Sequence, residues 1–394
     1  MGLNSTPSSN RTHIGFFGCR NAGKSSVVNA VTGQSLSVVS NVLGTTTDPV
    51  LKSMELLPLG PVVIIDTPGF DDVGELGEKR IAKTKQILNK TDIAVLITDA
   101  TDGLKQCDRE LLEIIKKKDI PYIIVKNKSD LIEVPKTEKD TIYVSAKTGF
   151  NINTLKERIA ALSPKDSNRP LVSDIINEGD VAVLVIPIDE AAPKGRLILP
   201  QQQVIRDILE NGGIAISTKE TELKMTLDSL KNPPKVVITD SQAFGVVSKT
   251  VPESVPLTSF SILMARYKGF LGVALDGISA IDNLRDGDTV LIAEGCTHHR
   301  QCNDIGTVKI PRWLKNHTGK DLKIKTCSGT EFPDDLSEFS VVIHCGGCML
   351  NEREVVSRMK SAMEQGVPFT NYGTVIAHTT GILKRSIEIL NNNY

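Results

Sequence analysis

At 394 residues the chain is too long for one ordinary hydrophobic core, so two or three domains are expected. Its charges nearly cancel, to a formal net charge of −1, which gives no electrostatic footprint for nucleic acid or an anionic membrane. No apolar run is long enough to span a bilayer, and the polar leader at residues 1–12 lacks a signal-peptide pattern, so a cytoplasmic location is expected.

Seven cysteines, an odd number, in a chain expected to be cytoplasmic indicate free thiols, catalysis or metal binding rather than a disulfide framework. Cys19 and Cys107 stand alone in the first half, and we expect them to be packed, unreactive side chains. The other five crowd toward the end of the chain: Cys296, Cys302, Cys327, Cys345 and Cys348. This distribution predicts a metal site in the C-terminal part.

The first apolar strand, residues 14–17, runs into a loop of the form G-x-x-x-x-G-K-[ST] and then into a helical pattern at residues 26–32. The glycines of such a loop let backbone N–H groups close around phosphate oxygens, while the lysine reaches the β- and γ-phosphates and the serine hydroxyl ligates Mg²⁺. The predicted phosphate-binding residues are Gly18, Asn21, Ala22, Gly23, Lys24, Ser25 and Ser26.

Three later strands end in further nucleotide-binding motifs. Residues 62–65 lead to Asp66, which can hold Mg²⁺ through water, and to Gly69, whose N–H can sense a γ-phosphate. Residues 122–125 and 142–144 lead to two more motifs: Asn127, Lys128 and Asp130, then Ser145, Ala146 and Lys147. In this order the motifs resemble those of the translation-factor-type small GTPases, which implies that Asp130 reads guanine and that the nucleotide is GTP.

The polar segment at residues 44–48 resembles switch I of the TrmE–Era group of GTPases. That resemblance implies that Thr46 ligates Mg²⁺ and the γ-phosphate. The expected catalytic residues are Lys24, Asn21, Thr46 and Gly69. Phe70 replaces the glutamine that orients water in Ras-like enzymes, so GTP hydrolysis should be slow. In the potassium-activated members of the group an asparagine at the position of Asn21 ligates K⁺, so stimulation by K⁺ is expected.

The remaining alternation of strands and helices predicts a doubly wound, mostly parallel sheet for a GTP-binding domain at residues 13–165. A polar, proline-bounded linker follows at residues 163–170. Residues 173–260 read as a second, smaller α/β domain, with strands at 181–188, 196–199, 214–217 and 236–239 and helices at 201–209 and 221–230. It contains no catalytic constellation, and dimerisation is its expected role.

A third α/β domain is predicted at residues 261–394, and a helical pattern at 258–267 overlaps its start. Strands at 288–294 and 341–343 end in Cys-x-His and His-Cys-x-x-Cys, and the carboxyl ends of parallel strands line the crevice in which ligands bind. Either Zn²⁺ or an iron–sulfur cluster could use these groups. The expected site comprises Cys296, Cys345 and Cys348 with His298 and His344 nearby, the histidines orienting rather than ligating, and with Cys302 and Cys327 as bystanders.

The Cys-x-His and His-Cys-x-x-Cys pair behind a TrmE-like GTPase resembles the HydF family of [FeFe]-hydrogenase maturation GTPases over essentially the whole chain. The resemblance implies a [4Fe–4S] cluster on Cys296, Cys345 and Cys348, with a fourth iron position filled by His298, His344, Glu294 or water. It also implies a scaffold or carrier that receives a diiron precursor made with two radical-SAM maturases and passes it to apo-[FeFe]-hydrogenase. Two alternatives remain: a GTPase regulator of RNA or ribosome assembly with a structural zinc domain, and a stand-alone GTPase whose thiols sense redox state.

Overall fold

The computed structural model describes residues 6–34, 49–67, 83–134, 139–163, 169–188, 197–296 and 304–390. The chain divides into two compact units, residues 1–167 and 168–394, and each is described by itself. None of the described helices combines the length and the apolar character needed to cross a lipid bilayer.

The first unit is built on a six-stranded sheet in the order β2-β3-β1-β4-β5-β6, in which only β2 runs antiparallel to its neighbour. The strands are β1 (Thr12–Phe17), β2 (Val50–Leu56), β3 (Gly60–Asp66), β4 (Ile93–Asp99), β5 (Tyr122–Asn127) and β6 (Thr141–Tyr143). The helices are α1 (Lys24–Thr32), α2 (Gln106–Lys117) and α3 (Ile152–Ala161), and residues 83–89 are also helical.

Apolar residues cover both faces of this sheet. Val27, Val28 and Val31 of α1 pack with Leu155 of α3 on one face, in one buried cluster. Leu111 of α2 packs in a second cluster with strand residues that point the other way. A parallel sheet buried on both faces is the doubly wound arrangement, so the predicted fold of this unit is confirmed.

The prediction that Cys19 and Cys107 are unpaired side chains is wrong. The structure joins them in a disulfide whose Cα atoms are 6.9 Å apart. Cys19 follows β1 and Cys107 lies in the first turn of α2, so the carboxyl edge of the sheet brings together two residues 88 positions apart in the sequence. Their spacing along the chain carries no sign of this proximity.

The second unit contains two four-stranded, all-parallel sheets, in the orders β10-β9-β7-β8 and β12-β11-β13-β14. The strands are β7 (Val181–Val185), β8 (Ile214–Thr218), β9 (Val236–Thr239), β10 (Leu257–Ser259), β11 (Thr289–Glu294), β12 (Lys323–Ser328), β13 (Val341–His344) and β14 (Phe369–Asn371). These parallel sheets confirm that further α/β structure follows the first unit.

Ten α-helices of this unit are described: α4 (Leu199–Glu210), α5 (Leu223–Ser229), α6 (Phe244–Thr250), α7 (Phe260–Tyr267), α8 (Leu271–Asp276), α9 (Ser279–Asp282), α10 (Ile310–Thr318), α11 (Glu352–Glu364), α12 (Tyr372–Thr379) and α13 (Leu383–Glu388). A single buried cluster of apolar residues runs from Leu171 to Leu390. The expected domain boundary after residue 260 falls at the start of α7.

Two local predictions in this unit are wrong. The strand expected at residues 196–199 is absent from its described part, because α4 begins at Leu199 and the side chain of Gln201 accepts a hydrogen bond of 3.0 Å from the Ile198 N–H. The helix expected at 258–267 begins later, because residues 257–259 pair with β9 and the Ser259 hydroxyl accepts the Ile262 N–H at 3.3 Å. β12 and β14 were not predicted.

Candidate functional site

The phosphate-binding loop lies between β1 and α1, and its shape requires glycine at two positions. Gly23 has φ of +80°, and a Cβ there would lie 2.2 Å from Nδ2 of Asn127. A Cβ on Gly18 would lie 2.3 Å from the carbonyl oxygen of Ile97. The backbone therefore approaches its neighbours as closely as only glycine allows. Asn21, at φ of +62°, is exposed, and Lys24, Ser25 and Ser26 open the first turn of α1.

The strand beside β1 supplies the acidic residue of the phosphate end. β3 pairs with β1 in parallel, with Asp66 opposite Phe16, so Asp66 arrives at the same edge as the loop. Lys24 Nζ is 3.7 Å from Asp66 Oδ1, and both side chains are largely buried. A lysine and an aspartate at this spacing match the roles predicted for phosphate and Mg²⁺.

Asn127 links the phosphate loop to the other end of the site. Its side chain is buried, with Nδ2 donating to the Ala22 carbonyl at 3.1 Å and Oδ1 accepting the Ala146 N–H at 3.1 Å. The loop after β6 is held in the same way, because the Ser145 hydroxyl donates to Asp130 Oδ1 at 2.7 Å. That hydrogen bond lowers the pKa of Asp130 and favours its ionised form.

Lys128 takes the left-handed conformation, with φ of +65°, and its Nζ lies 2.5 Å from Asp99 Oδ2 at the end of β4. The positive charge of Lys147 contributes to the lowered pKa of Asp130. The structure thus brings together the predicted nucleotide residues that end or follow β1, β3, β5 and β6. Three predicted site residues, Thr46, Gly69 and His298, lie outside the described residues, as do residues 44–48, Phe70 and Cys302.

The thiols of the second unit lie where two neighbouring strands end. β11 and β13 are parallel partners with Ala293 opposite His344, and the Cys345 N–H continues the ladder by donating to the Ala293 carbonyl at 2.9 Å. Cys296 follows β11 by two residues. The N–H groups of Gly295 and Gly347 point at Cys345 Sγ, at 3.1 and 3.4 Å. Backbone donors of this kind stabilise a thiolate.

Burial raises the pKa of each of these thiols. The pKa of Cys296 rises to about 12, through burial first and then through the nearby Cys345 and Cys348 sulfurs. The pKa of Cys348 also rises to about 12, and Lys268 opposes that rise. Cys327 on β12, beside Ala293 in register, has a pKa raised to about 11, chiefly by burial. Thiols that repel each other's negative charge need a cation to become thiolates together.

His344 is fully buried and faces away from solvent. Its Nδ1 lies 2.7 Å from the Cys345 carbonyl oxygen, so Nδ1 carries the proton, and its Nε2 lies 3.4 Å from a guanidinium nitrogen of Arg358. Burial, reinforced by Arg358, lowers the pKa of His344 to about 3. The ring stacks on Phe369. Both ring nitrogens are engaged by protein groups, which fits the predicted orienting role.

Models of known families cover most of the chain. The hydrogen maturase F dimerization domain matches residues 171–269, and the hydrogen maturase F tetramerization domain matches residues 272–389. Together they account for more than half of the chain. It belongs to the hydrogen maturase F (HydF) family. Residues 13–128 match a model described as 50S ribosome-binding GTPase, so the HydF chain carries a GTPase domain in front.

Named GTPases are similar to a part of this HydF chain. It is 34% identical over 182 residues to GTPase Der of Wolinella succinogenes, covering 42% of this chain and 38% of that protein. It is 34% identical over 156 residues to the tRNA modification GTPase MnmE of Endomicrobium trichonymphae, covering 36% and 33%. The chain thus spans between a third and two-fifths of the length of these relatives.

Two solved structures are also similar to a part of this chain. A probable GTP-binding protein engB is 27% identical, with 38% of this chain and 98% of that chain covered and a TM-score of 0.32. A single-residue variant of Era from Aquifex aeolicus, bound to GDP·AlF₄⁻, is 21% identical, with 52% and 91% covered and a TM-score of 0.36.

Buried charged residues lie near the thiols of this HydF chain, and two of them, Arg358 and Lys268, were not predicted. Arg358 and Lys268 are almost fully buried, and Arg358 donates to Glu354 at 2.8 Å. Glu294 is also buried and accepts the Tyr372 hydroxyl at 3.3 Å. Arg358 had a signal in the sequence, because it falls in the apolar stripe of α11 between residues 355 and 362. A charged residue in such a stripe is a candidate for a buried polar site.

Proposed function

We propose that this chain is the GTPase scaffold or carrier of [FeFe]-hydrogenase maturation, and that Cys296, Cys345 and Cys348 hold a [4Fe–4S] cluster. The observation that carries the proposal is the arrival of these three thiols at the ends of two paired strands. They lie within the part of the chain that matches the HydF tetramerization domain. The predicted pattern of cysteines and the family assignment therefore both support a site at this edge of the sheet.

The donor set fits a cluster better than a single zinc ion. Around Zn²⁺, thiolates at about 2.3 Å from the metal stand only about 3.8 Å from each other. Among the described residues, the sulfurs of Cys296, Cys345 and Cys348 do not all lie within 4.8 Å of one another. The buried cations Lys268 and Arg358 both lower the pKa of a neighbouring thiol, of Cys348 and Cys327 respectively, which suits a site that gathers several thiolates.

A [4Fe–4S] cluster held by three thiolates keeps one iron position open to exchange. The candidates for the ligand of that position are His298, His344, Glu294 and water. The contacts of both His344 nitrogens with protein groups favour the other three. The cargo of the scaffold is the diiron precursor, which arrives with the help of two radical-SAM maturases. Its destination is apo-[FeFe]-hydrogenase.

The GTPase domain hydrolyses GTP slowly in this proposal. Ser25, Thr46 and Asp66 hold Mg²⁺, Lys24 binds the phosphates, and Asn21 supplies the ligand for a stimulating K⁺. The exposed position of Asn21 within the phosphate loop supports that last role, because an exposed amide oxygen is accessible to a cation. GTP would bias which partner is bound.

We also infer that the protein acts in the cytoplasm as a homo-oligomer, with the region of residues 173–260 forming a dimer. The descriptions of the two matched HydF models, dimerization and tetramerization, support this. The domain arrangement within the proposal is a GTP-binding domain at 13–165, a dimerisation domain at 173–260 and a cluster domain at 261–394. Neither nucleic acid nor a membrane has a place in it.

Anaerobic reconstitution with iron and sulfide tests the cluster. We expect about four iron and four sulfide per chain, the composition of one such cluster, with cluster absorption, in the wild type and in Cys327→Ala, the matched control that removes a neighbouring thiol. We expect Cys345→Ala to lose the absorption. Tightly bound zinc without iron uptake would overturn the proposal in favour of the alternative, an RNA- or ribosome-assembly GTPase with a structural zinc domain.

Comparing GTP hydrolysis in K⁺ and Na⁺ buffers of equal ionic strength tests the cation. We expect faster hydrolysis in K⁺ for the wild type and equal rates for Asn21→Ala, with GDP affinity preserved in the variant. Equal wild-type rates in the two buffers would refute the role of Asn21.

A further inference from the structure

A second cluster of metal-binding side chains lies on the outside of the C-terminal part, at the ends of three helices. Asp282 is the last residue of α9, and His317 and His378 lie in the last turns of α10 and α12. His317 Nε2 is 2.8 Å from Asp282 Oδ1, and His378 Nε2 is 2.9 Å from the same oxygen and 3.1 Å from Oδ2. The two imidazole rings are 5.1 Å apart.

We propose that Asp282, His317 and His378 form a mononuclear site for a divalent transition-metal ion that prefers imidazole ligands, such as Zn²⁺. One ligand atom from each side chain lies within 4.8 Å of the other two. Tetrahedral ligands about 2.0–2.1 Å from Zn²⁺ stand about 3.3 Å from each other. The observed nitrogen–oxygen distances of 2.8 and 2.9 Å therefore need only about half an ångström of widening, which side-chain rotation supplies.

The helices themselves favour a cation at this point. The carboxyl end of a helix carries a partial negative charge, and α10 and α12, of nine and eight residues, both end beside the triad. α10 packs against both α9 and α12, so the three ends meet through packed helices rather than through loose side chains.

Two imidazoles and one carboxylate also determine which ions fit. Imidazole suits Zn²⁺, Ni²⁺, Cu²⁺ and Fe²⁺, whereas Mg²⁺ and Ca²⁺ take oxygen ligands. Three protein ligands leave at least one coordination position over, and the side chain of Asp282 is 52% exposed, so that position faces solvent. The site is thus an accessible three-ligand site rather than a closed structural one.

The triad is distinct from the thiol site. α12 starts at Tyr372, whose hydroxyl contacts Glu294 near the thiols, and His378 lies six residues further along the same helix. At 1.5 Å per residue the two positions are about 9 Å apart along the axis. The proposal therefore stands whether or not the cysteines bind a cluster.

Metal binding to the full-length chain tests the site, with the variants His378→Gln and His317→Gln and the matched control Asp286→Asn. Asp286 is an exposed carboxylate four residues beyond Asp282 that contacts the Asp321 N–H and not the histidines. In equilibrium dialysis against Zn²⁺ with Mg²⁺ in excess, we expect each histidine variant to bind one zinc ion fewer per chain than the wild type. The control should match the wild type.

Trp313 provides a second, local readout. It is the single tryptophan of the chain and lies four residues before His317 on the same face of α10. Bound Ni²⁺ should quench its fluorescence in the wild type and in the control, and at least about tenfold more Ni²⁺ should be needed in the histidine variants, which lack one of the three ligands. Equal zinc stoichiometry and equal Ni²⁺ quenching in wild type and folded histidine variants, checked by circular dichroism, would overturn the proposal.

Discussion

Replacing Asn127 by alanine should destabilise the first unit, because this one amide connects two loops of the nucleotide site. The substitution removes two hydrogen bonds of 3.1 Å from a side chain that is 3% exposed, and it leaves the carbonyl of buried Ala22 without its donor. Each hydrogen bond contributes about 1 kcal/mol net, and an unsatisfied buried acceptor costs about 1–3 kcal/mol. We expect the local free energy of opening to fall by about 2–4 kcal/mol.

Hydrogen–deuterium exchange of the intact chain measures this effect. A loss of about 2–4 kcal/mol accelerates amide exchange by about 30- to 1,000-fold in β1 and β5, while β11 and β13 in the second unit provide an internal control. Asn89→Ala is the matched variant, because its amide is half-buried and accepts a single bond of 2.7 Å from Lys118. If β5 exchanges at the same rate in Asn127→Ala and Asn89→Ala, the linking role is refuted.

Three further predictions follow from contacts in the two units. Gly23→Ala should lower GDP affinity at least about tenfold in a fluorescent-nucleotide titration, because φ there is +80° and a Cβ would lie 2.2 Å from a side-chain amide nitrogen. Asp174→Ala should lower the free energy of unfolding of the second unit by about 2–4 kcal/mol in a urea titration. It removes the carboxylate that pairs with both terminal nitrogens of Arg266, which is 2% exposed. The raised pKa of Cys296, about 12, keeps it protonated at about pH 8, so its alkylation in metal-free protein should keep accelerating up to about pH 11, whereas a cysteine peptide levels off earlier. Unchanged GDP affinity of Gly23→Ala would contradict the first prediction, and unchanged stability of Asp174→Ala would contradict the second. A plateau in the alkylation rate of Cys296 near about pH 9 would contradict the third.

The nucleotide site was predictable because its signals are local. A glycine-rich loop between a strand and a helix, and polar motifs directly after strands, place their residues at one sheet edge whatever the loops between them do. The same logic brought Cys296 and Cys345 together, since parallel strands end at a common edge. Lys268 and Arg358 were not predicted. Lys268 directly follows α7 and Arg358 lies within α11, and the strand pattern does not show how these helices pack.

The boundaries of secondary-structure elements and the pairing of cysteines were harder to predict from the sequence. Residues 258 and 259 were predicted to begin a helix, yet residues 257–259 pair with β9 and form a strand, because a ladder partner outweighs weak local propensity. Cys19 and Cys107 likewise look isolated, although folding of the first unit puts them in a disulfide. Such contacts join residues that only the packed core brings within reach.

The sequence by itself determined the chemistry of the nucleotide loop and of the thiol pattern, because motif residues close in the chain remain close in any fold that keeps their strands. The tertiary structure alone decided the rest. Asp282, His317 and His378 lie far apart in the sequence, and no periodicity relates them. They meet because helix packing brings three carboxyl-terminal helix ends to one point.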